Sequence, residues 1–161
     1  MRKMSEQIFS ALDNFAQDFF KNKWIIRERE AISFFVFGYL LPEIKAEDEL
    51  HHPAQIGIEV QVPKLLVHYN TKNKDLIFWQ KPFEVAYDRN NQTANFPLVV
   101  MEWKDRLFSL DSKDKHWLMD YSRVVPSEFL GICLTINEDK IFGENIAKGE
   151  VIRSWEICKK N

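Results

Sequence analysis

The sequence predicts an α/β domain: a mixed β-sheet flanked by helices, with core order α-β-β-β-α-β and an extra N-terminal helix. Three observations carry that expectation. Residues 56–62 alternate strictly, so Ile56, Ile58, Val60 and Val62 share one face of a strand. Residues 98–104, Leu-Val-Val-Met-Glu-Trp-Lys, stay apolar almost to their end, as a central strand covered on both faces does. Residues 112–125 put Trp117, Leu118, Tyr121 and Val124 on the inward side of a helix lying between two strand-like runs. A helix in that position is a crossover and implies local parallel pairing.

Taken in order, residues 5–22 form a first helix, capped by Ser5, with Ile8, Leu12, Phe15 and Phe19 on one apolar stripe. A second helix runs from about Ile25 to Leu41 and stops at Pro42. Its start is charged (Arg27, Glu28, Arg29, Glu30). Its end, Phe34 to Leu41, is apolar almost all round and therefore expected to be buried on most sides. Residues 43–54 are polar and irregular and end in His51-His52-Pro53; Pro63 closes the strand that follows. Lys72-Asn73-Lys74 is turn-like and leads into a short apolar strand, Asp75 to Trp79. Residues 88–95 read as an exposed loop. Beyond the helix at 112–125, ended by Pro126, come a strand from Phe129 to Ile136 and a last strand at 151–157. The first three strands are joined by shorter loops and are expected to be antiparallel.

The 161 residues fit one domain, 1–161, without internal repeat or boundary. The chain is 45% hydrophobic and 14% aromatic, with 13 Phe and 5 Trp, which excludes a disordered reading. A net charge of -2 is far from the basic balance of a protein that coats nucleic acid, though it is compatible with a local positive groove. Cys133 and Cys158 have no zinc spacing and form no disulfide framework, as expected of an intracellular chain. No signal-peptide pattern follows the N-terminus, and Phe34–Leu41 is far shorter than the roughly 20 apolar residues that cross a bilayer. The expected location is cytoplasmic, with no membrane partner.

One constellation carries chemistry. Asp75 opens a short apolar strand, and a buried strand later ends in Glu102-Trp103-Lys104. Glu102 and Lys104 are two apart and share a face, while Trp103 points to the other. Charge on a buried strand is costly unless something offsets it. A divalent cation does so for the two acids; Mg2+ prefers hard oxygen ligands and commonly uses one or two carboxylates plus water and substrate phosphate.

Asp75, about 26 intervening residues, then Glu102-x-Lys104 resembles the PD-(D/E)XK motif of restriction-endonuclease-like nucleases, and the element order matches that core from about residue 25 to residue 136. The resemblance implies a restriction-endonuclease-like fold and a Mg2+- or Mn2+-dependent hydrolase of phosphodiester bonds in nucleic acid, with DNA foremost. Asp75 and Glu102 would be the metal ligands, Lys104 would serve the attacking water, and a glutamate of the first core helix would assist. Glu28 is the candidate for that acid, because it shares a helical face with Ala31, Ile32, Phe35 and Tyr39; Glu30, on the face of Phe34 and Phe37, is its competitor. Many such nucleases are homodimers, so a homodimer is an expected partner state. The chain departs from the pattern at Lys74, where the motif has proline, and in its long loop between the acids.

Plainer readings stand beside these. Asp75 suits a turn, Glu102 and Lys104 suit a salt bridge at a strand end, and Glu28 and Glu30 suit a solvated helix start. His51 and His52 lie in a polar loop, and Trp79 and Trp103 suit the core better than base stacking. Glu59 and Gln61 suit a solvent-facing strand surface. Lys113, Lys115, His116 and Arg123 decorate the helix that borders the motif, as phosphate contacts or as a solvated face. At the level of function, the rivals to a nuclease are a non-catalytic protein of the same fold that binds nucleic acid or a protein partner, and an unrelated α/β interaction protein.

Overall fold

The structure is a computed structural model that describes residues 1–22, 27–64, 73–104, 113–125 and 128–160. It is an α/β fold with a six-stranded mixed sheet. The elements are α1 (Met4–Asn22), α2 (Glu28–Phe34), β1 (Ile56–Val60), β2 (Lys74–Phe78), β3 (Val99–Lys104), α3 (Lys113–Val124), β4 (Leu130–Ile136), β5 (Lys140–Ala147) and β6 (Glu150–Cys158). The strands lie in chain order. β1, β2 and β3 form an antiparallel meander, β3 and β4 are parallel across the α3 crossover, and β5 and β6 return antiparallel. Among the described residues no helix is long and apolar enough to cross a membrane.

Two cores sandwich the sheet. On one face Leu76, Phe78, Val99, Met101, Trp103, Ile132 and Leu134 meet α1 and α2. Trp103 packs against Phe15 and Phe35, with ring centroids 5.6 Å from each. On the other face Ile77, Val100, Cys133 and Ile146 meet Trp117, Leu118 and Tyr121 of α3. β3, between β2 and β4, is buried on both sides up to Trp103, as its continuous apolar run requires. The apolar stripe of α1 is wholly inside, and so are Trp79 and Trp103.

Several local expectations are corrected. α1 begins at Met4, so Ser5 lies within the first turn; the helix start is held by distant acids instead, with Glu49 accepting the Met4 amide at 2.8 Å and Asp48 that of Arg2 at 2.6 Å. The second helix is not one α-helix. From Phe35 to Leu40 it widens to π-helical bonding, in which the Leu41 amide reaches back to Val36, and Pro42 sits inside a closing 3-10 turn. The wider turn keeps Phe35, Val36 and Leu40 inside but leaves Phe37 65% exposed, so this end is not buried all round. β1 ends at Val60; it is an edge strand, and Glu59 has φ 52, which breaks the pleat and leaves Ile58 37% exposed. Val124 faces outward, and Val125 takes the inward position beyond the helix end. β5 was not expected at all. Ile25, Lys72, Ser112 and Pro126, used above as element markers, lie outside the described residues.

Candidate functional site

The site grows out of the place where β2 and β3 part. Their ladder pairs Phe78 with Val99, Ile77 with Val100 and Leu76 with Met101. The next β3 amide, that of Trp103, donates instead to the Asp75 side chain, at 2.7 Å from Oδ2. A carboxylate therefore stands where a backbone carbonyl would continue the ladder, leaving Oδ1 as that carboxylate's second acceptor.

Glu102 and Lys104 follow from the two-residue strand period. With Val100 and Cys133 they belong to the face covered by α3, whereas Trp103 turns to α1 and α2. Glu102 is only 2% exposed. Its Oε1 lies 2.5 Å from the Lys74 ammonium, a buried ion pair. The same ammonium sits 3.7 Å from the Trp117 ring centroid, a cation–π contact. Lys104 pairs with Asp114, in the first turn of α3, at 2.8 Å. One register step on, Glu102 neighbours Cys133 and Cys133 neighbours Glu144, which pairs with Lys115 at 2.8 Å.

These groups sense one another. Burial pushes the Glu102 carboxyl up to about 8; Lys74 opposes that rise, and Asp75 and Asp114 add to it. Burial works against the Lys104 charge, but the hydrogen bond and charge of Asp114, with Asp75 and Glu102, outweigh it and hold the ammonium above its ordinary value. Burial, aided by the Glu102 charge, pushes the Cys133 thiol up to about 12 and keeps it a small apolar filler. Three carboxylates, Asp75, Glu102 and Asp114, thus form one electrostatically coupled cluster with Lys74 and Lys104. Glu102 and Lys104 lie at the carboxyl end of β3 in the parallel pair β3 and β4, the end at which open α/β sheets bind ligands.

Glu102 and Lys104 stand two apart on β3, and Asp75 of β2 accepts the amide of Trp103 between them. Glu28 opens α2 in the opposite layer, half-buried on the edge that carries Ala31, Ile32 and Phe35, all of which face the core as expected of that side. Its neighbour Arg29 binds Glu59 of β1 at 2.7 Å, and Val60 pairs with Lys74, so α2 starts at the same end of the sheet as the acids. Glu30 lies on the exposed side and pairs with Arg27 at 3.5 Å. Lys74, Asp114 and Glu144 were not anticipated as members of this cluster. The one available signal was the lysine standing where the motif has proline. His52 is structural: its Nδ1 accepts the Ala54 amide at 3.0 Å.

The donor set suits a hard cation only partly. Asp75 and Glu102 each offer carboxylate oxygen, which fits Mg2+ or Mn2+ completed by water and phosphate. Among the described residues, however, no group of three or more His, Cys, Asp or Glu stands ready to hold a metal. No protein-family model, curated protein or solved structure matches this chain.

Proposed function

We propose that this protein is a metal-dependent phosphodiesterase of restriction-endonuclease-like architecture, acting on nucleic acid and on DNA in the first instance. One observation carries the reading: Asp75 bonds the amide between Glu102 and Lys104 at the parting of β2 and β3, and the charges of the three side chains bear on one another. The element order and the parallel β3–β4 pair support it, being the core that the motif belongs to. An acid-rich cluster repels phosphate unless a cation is added, which is what such chemistry uses.

Asp75 and Glu102 would hold the cation, which when bound supplies Lewis acidity and a more acidic water. The protein's own part is positional. The Trp103 amide fixes the Asp75 carboxylate. Asp114 holds Lys104 charged and oriented, so that it can steer the attacking water or a phosphate oxygen. Glu28, from the start of α2, would approach from the other layer to position the cation or a second one. Asp75→Asn, Glu102→Gln and Lys104→Ala should each lower cleavage of plasmid DNA with Mg2+ or Mn2+ by at least about 100-fold while circular dichroism stays unchanged. Full activity in all three variants rejects the assignment.

A second reading is favoured by Lys74. Its ammonium already neutralises Glu102, as in a non-catalytic protein of this fold that keeps the acids as internal charge pairs and binds nucleic acid or a protein partner. Calorimetric titration with Mn2+ separates the two, since that reading expects no binding at millimolar metal.

A further inference from the structure

We propose that the protein forms a homodimer through the outer edge of β6, two copies pairing antiparallel about an axis at Ser154 so that their sheets join into one. The inference is independent of the phosphodiesterase reading. The sheet has two outer strands, β1 and β6, and they differ. β1 has five residues, Glu59 breaks its pleat at φ 52, and Arg29 of α2 binds that glutamate at 2.7 Å. A short, kinked, charged strand is a poor template for pairing. β6 has nine residues, and among the described residues it pairs with β5 alone. Its bulge lies near its start, between the pairs made by Val151 and Arg153, and leaves Arg153 to Ile157 regular. It carries apolar side chains where a guarded edge carries charge: Ile152 is 59% exposed, and Val151, Trp155 and Ile157 are half-buried. The Lys159 amide donates to the Asp139 carbonyl at 3.1 Å, so by strand alternation Ile157, Trp155 and Arg153 bond inward to β5. The amides and carbonyls of Ser154 and Glu156 therefore point outward.

The occupant is a second copy because the strand complements itself. Opposed side chains of an antiparallel pair lie on the same face, so the two-fold axis of such a dimer passes through a residue. Through Arg153 it sets that guanidinium against itself and Glu150 against Glu156; through Glu156 it sets that carboxylate against itself. Like charges directly opposite destabilise a pair. Through Trp155 it opposes two indoles that already turn back over Gly143 and donate to Asn145. Through Ser154 it opposes two small hydroxyls, lets the two Ser154 residues exchange both backbone bonds, and sets Arg153 of each copy opposite Trp155 of the other. A groove of about 560 Å3 between α1 and β6 is lined there by Glu6, Phe9 and Trp155. The long side chain of the second copy's Arg153 enters that groove, with the Glu6 carboxylate for its charge and the indole for a cation–π contact. Charge complementarity thus picks out both the partner and the register.

The test is sedimentation of the full chain across about 1–200 μM, the range in which interfaces of modest quality assemble. The parent should shift with concentration towards twice its 19.2 kDa. Ser154→Pro, which removes an outward amide, and Arg153→Glu, which reverses the charge offered to the groove, should each weaken the dimer at least about tenfold. Cross-linking reads the register. In a Cys158→Ser background, Ser154→Cys should oxidise to a covalent dimer, because the Cα atoms of a hydrogen-bonded pair lie about 5.5 Å apart, within disulfide reach. Glu156→Cys in the same background should stay unlinked, its two copies being offset by four residues, ~13 Å. A parent that stays monomeric throughout overturns the proposal, whatever else covers the edge. A dimer that persists undiminished in both Ser154→Pro and Arg153→Glu lies on another face and overturns it too. Cross-linking of Glu156→Cys as readily as Ser154→Cys overturns the register. If circular dichroism shows Ser154→Pro to be misfolded, Arg153→Glu and the cross-links decide.

Discussion

Glu102 puts a carboxyl where its charge is least welcome, and the consequence is measurable as pH-dependent stability. Burial raises its folded value to about 8, above that of an unfolded carboxylate. A raised value means the folded state binds the proton more tightly, so this contribution is fully present in acid and is lost as pH climbs through about 8. The thermal unfolding midpoint should therefore fall from mildly acidic pH to pH 8 and above, and Glu102→Gln should flatten that decline; differential scanning fluorimetry across pH reads both. Cys133 makes a second residue-scale prediction. It is buried with its thiol held at about 12, whereas Cys158 is exposed. A chromogenic disulfide reagent should modify one thiol per chain in the native protein and two after denaturation. The spacing of Glu102 and Lys104 was legible because two residues is the strand period, so their sharing a face needs no tertiary information. Lys74, Asp114 and Glu144 were not, because what unites them with Glu102 is strand register and the docking of α3, which no local pattern encodes.

At the scale of elements, the β5–β6 hairpin shows where periodicity stops being informative. β3 and β4 were legible because each is a continuous apolar run buried on both faces. β5 carries Gly143, Glu144 and Asn145 at its centre, a run that reads as a loop. Each has a long-range reason. Gly143 pairs with Trp155, whose ring lies over the space a side chain would need. Asn145 accepts the Trp155 indole N–H at 2.8 Å, and Glu144 pairs with Lys115. Trp155 is then stacked edge-on against Phe9 of α1, centroids 5.1 Å apart. A two-residue turn closes the hairpin, with positive φ at Lys148 and Gly149 as such turns require. Gly143→Ala should consequently cost about 1–3 kcal/mol in urea denaturation, as overpacking does. Gly38 provides the contrast. It lies in the π-helical turn with nothing near its Cβ position. Gly38→Ala should be neutral or stabilise by about 0.5–1 kcal/mol through lost unfolded-state freedom.

At the scale of the whole molecule, the question is whether the two layers of side chains behave as one. The α1/α2 layer and the α3 layer touch different faces of the sheet, and each has an indole near its centre, Trp103 in the first and Trp117 in the second. If each layer had its own sheet, they could unfold separately. They do not: β3 presents Trp103 to one layer and Val100 and Glu102 to the other within five residues, and β4 alternates in the same way between Leu134 and Cys133. Removing either layer exposes the opposite side of the same strands, so the cost of opening one falls on both. The site sits on this shared seam, with Asp75 bound to the Trp103 amide and Lys74 resting on Trp117. Urea unfolding should accordingly be a single transition. Indole fluorescence in Trp103→Phe and in Trp117→Phe should each report the same midpoint as far-ultraviolet circular dichroism on the same variant. Within either variant, a fluorescence midpoint displaced from the dichroism midpoint would mean that the remaining layers open independently and that the charge cluster between β2, β3 and α3 is lost before the fold is.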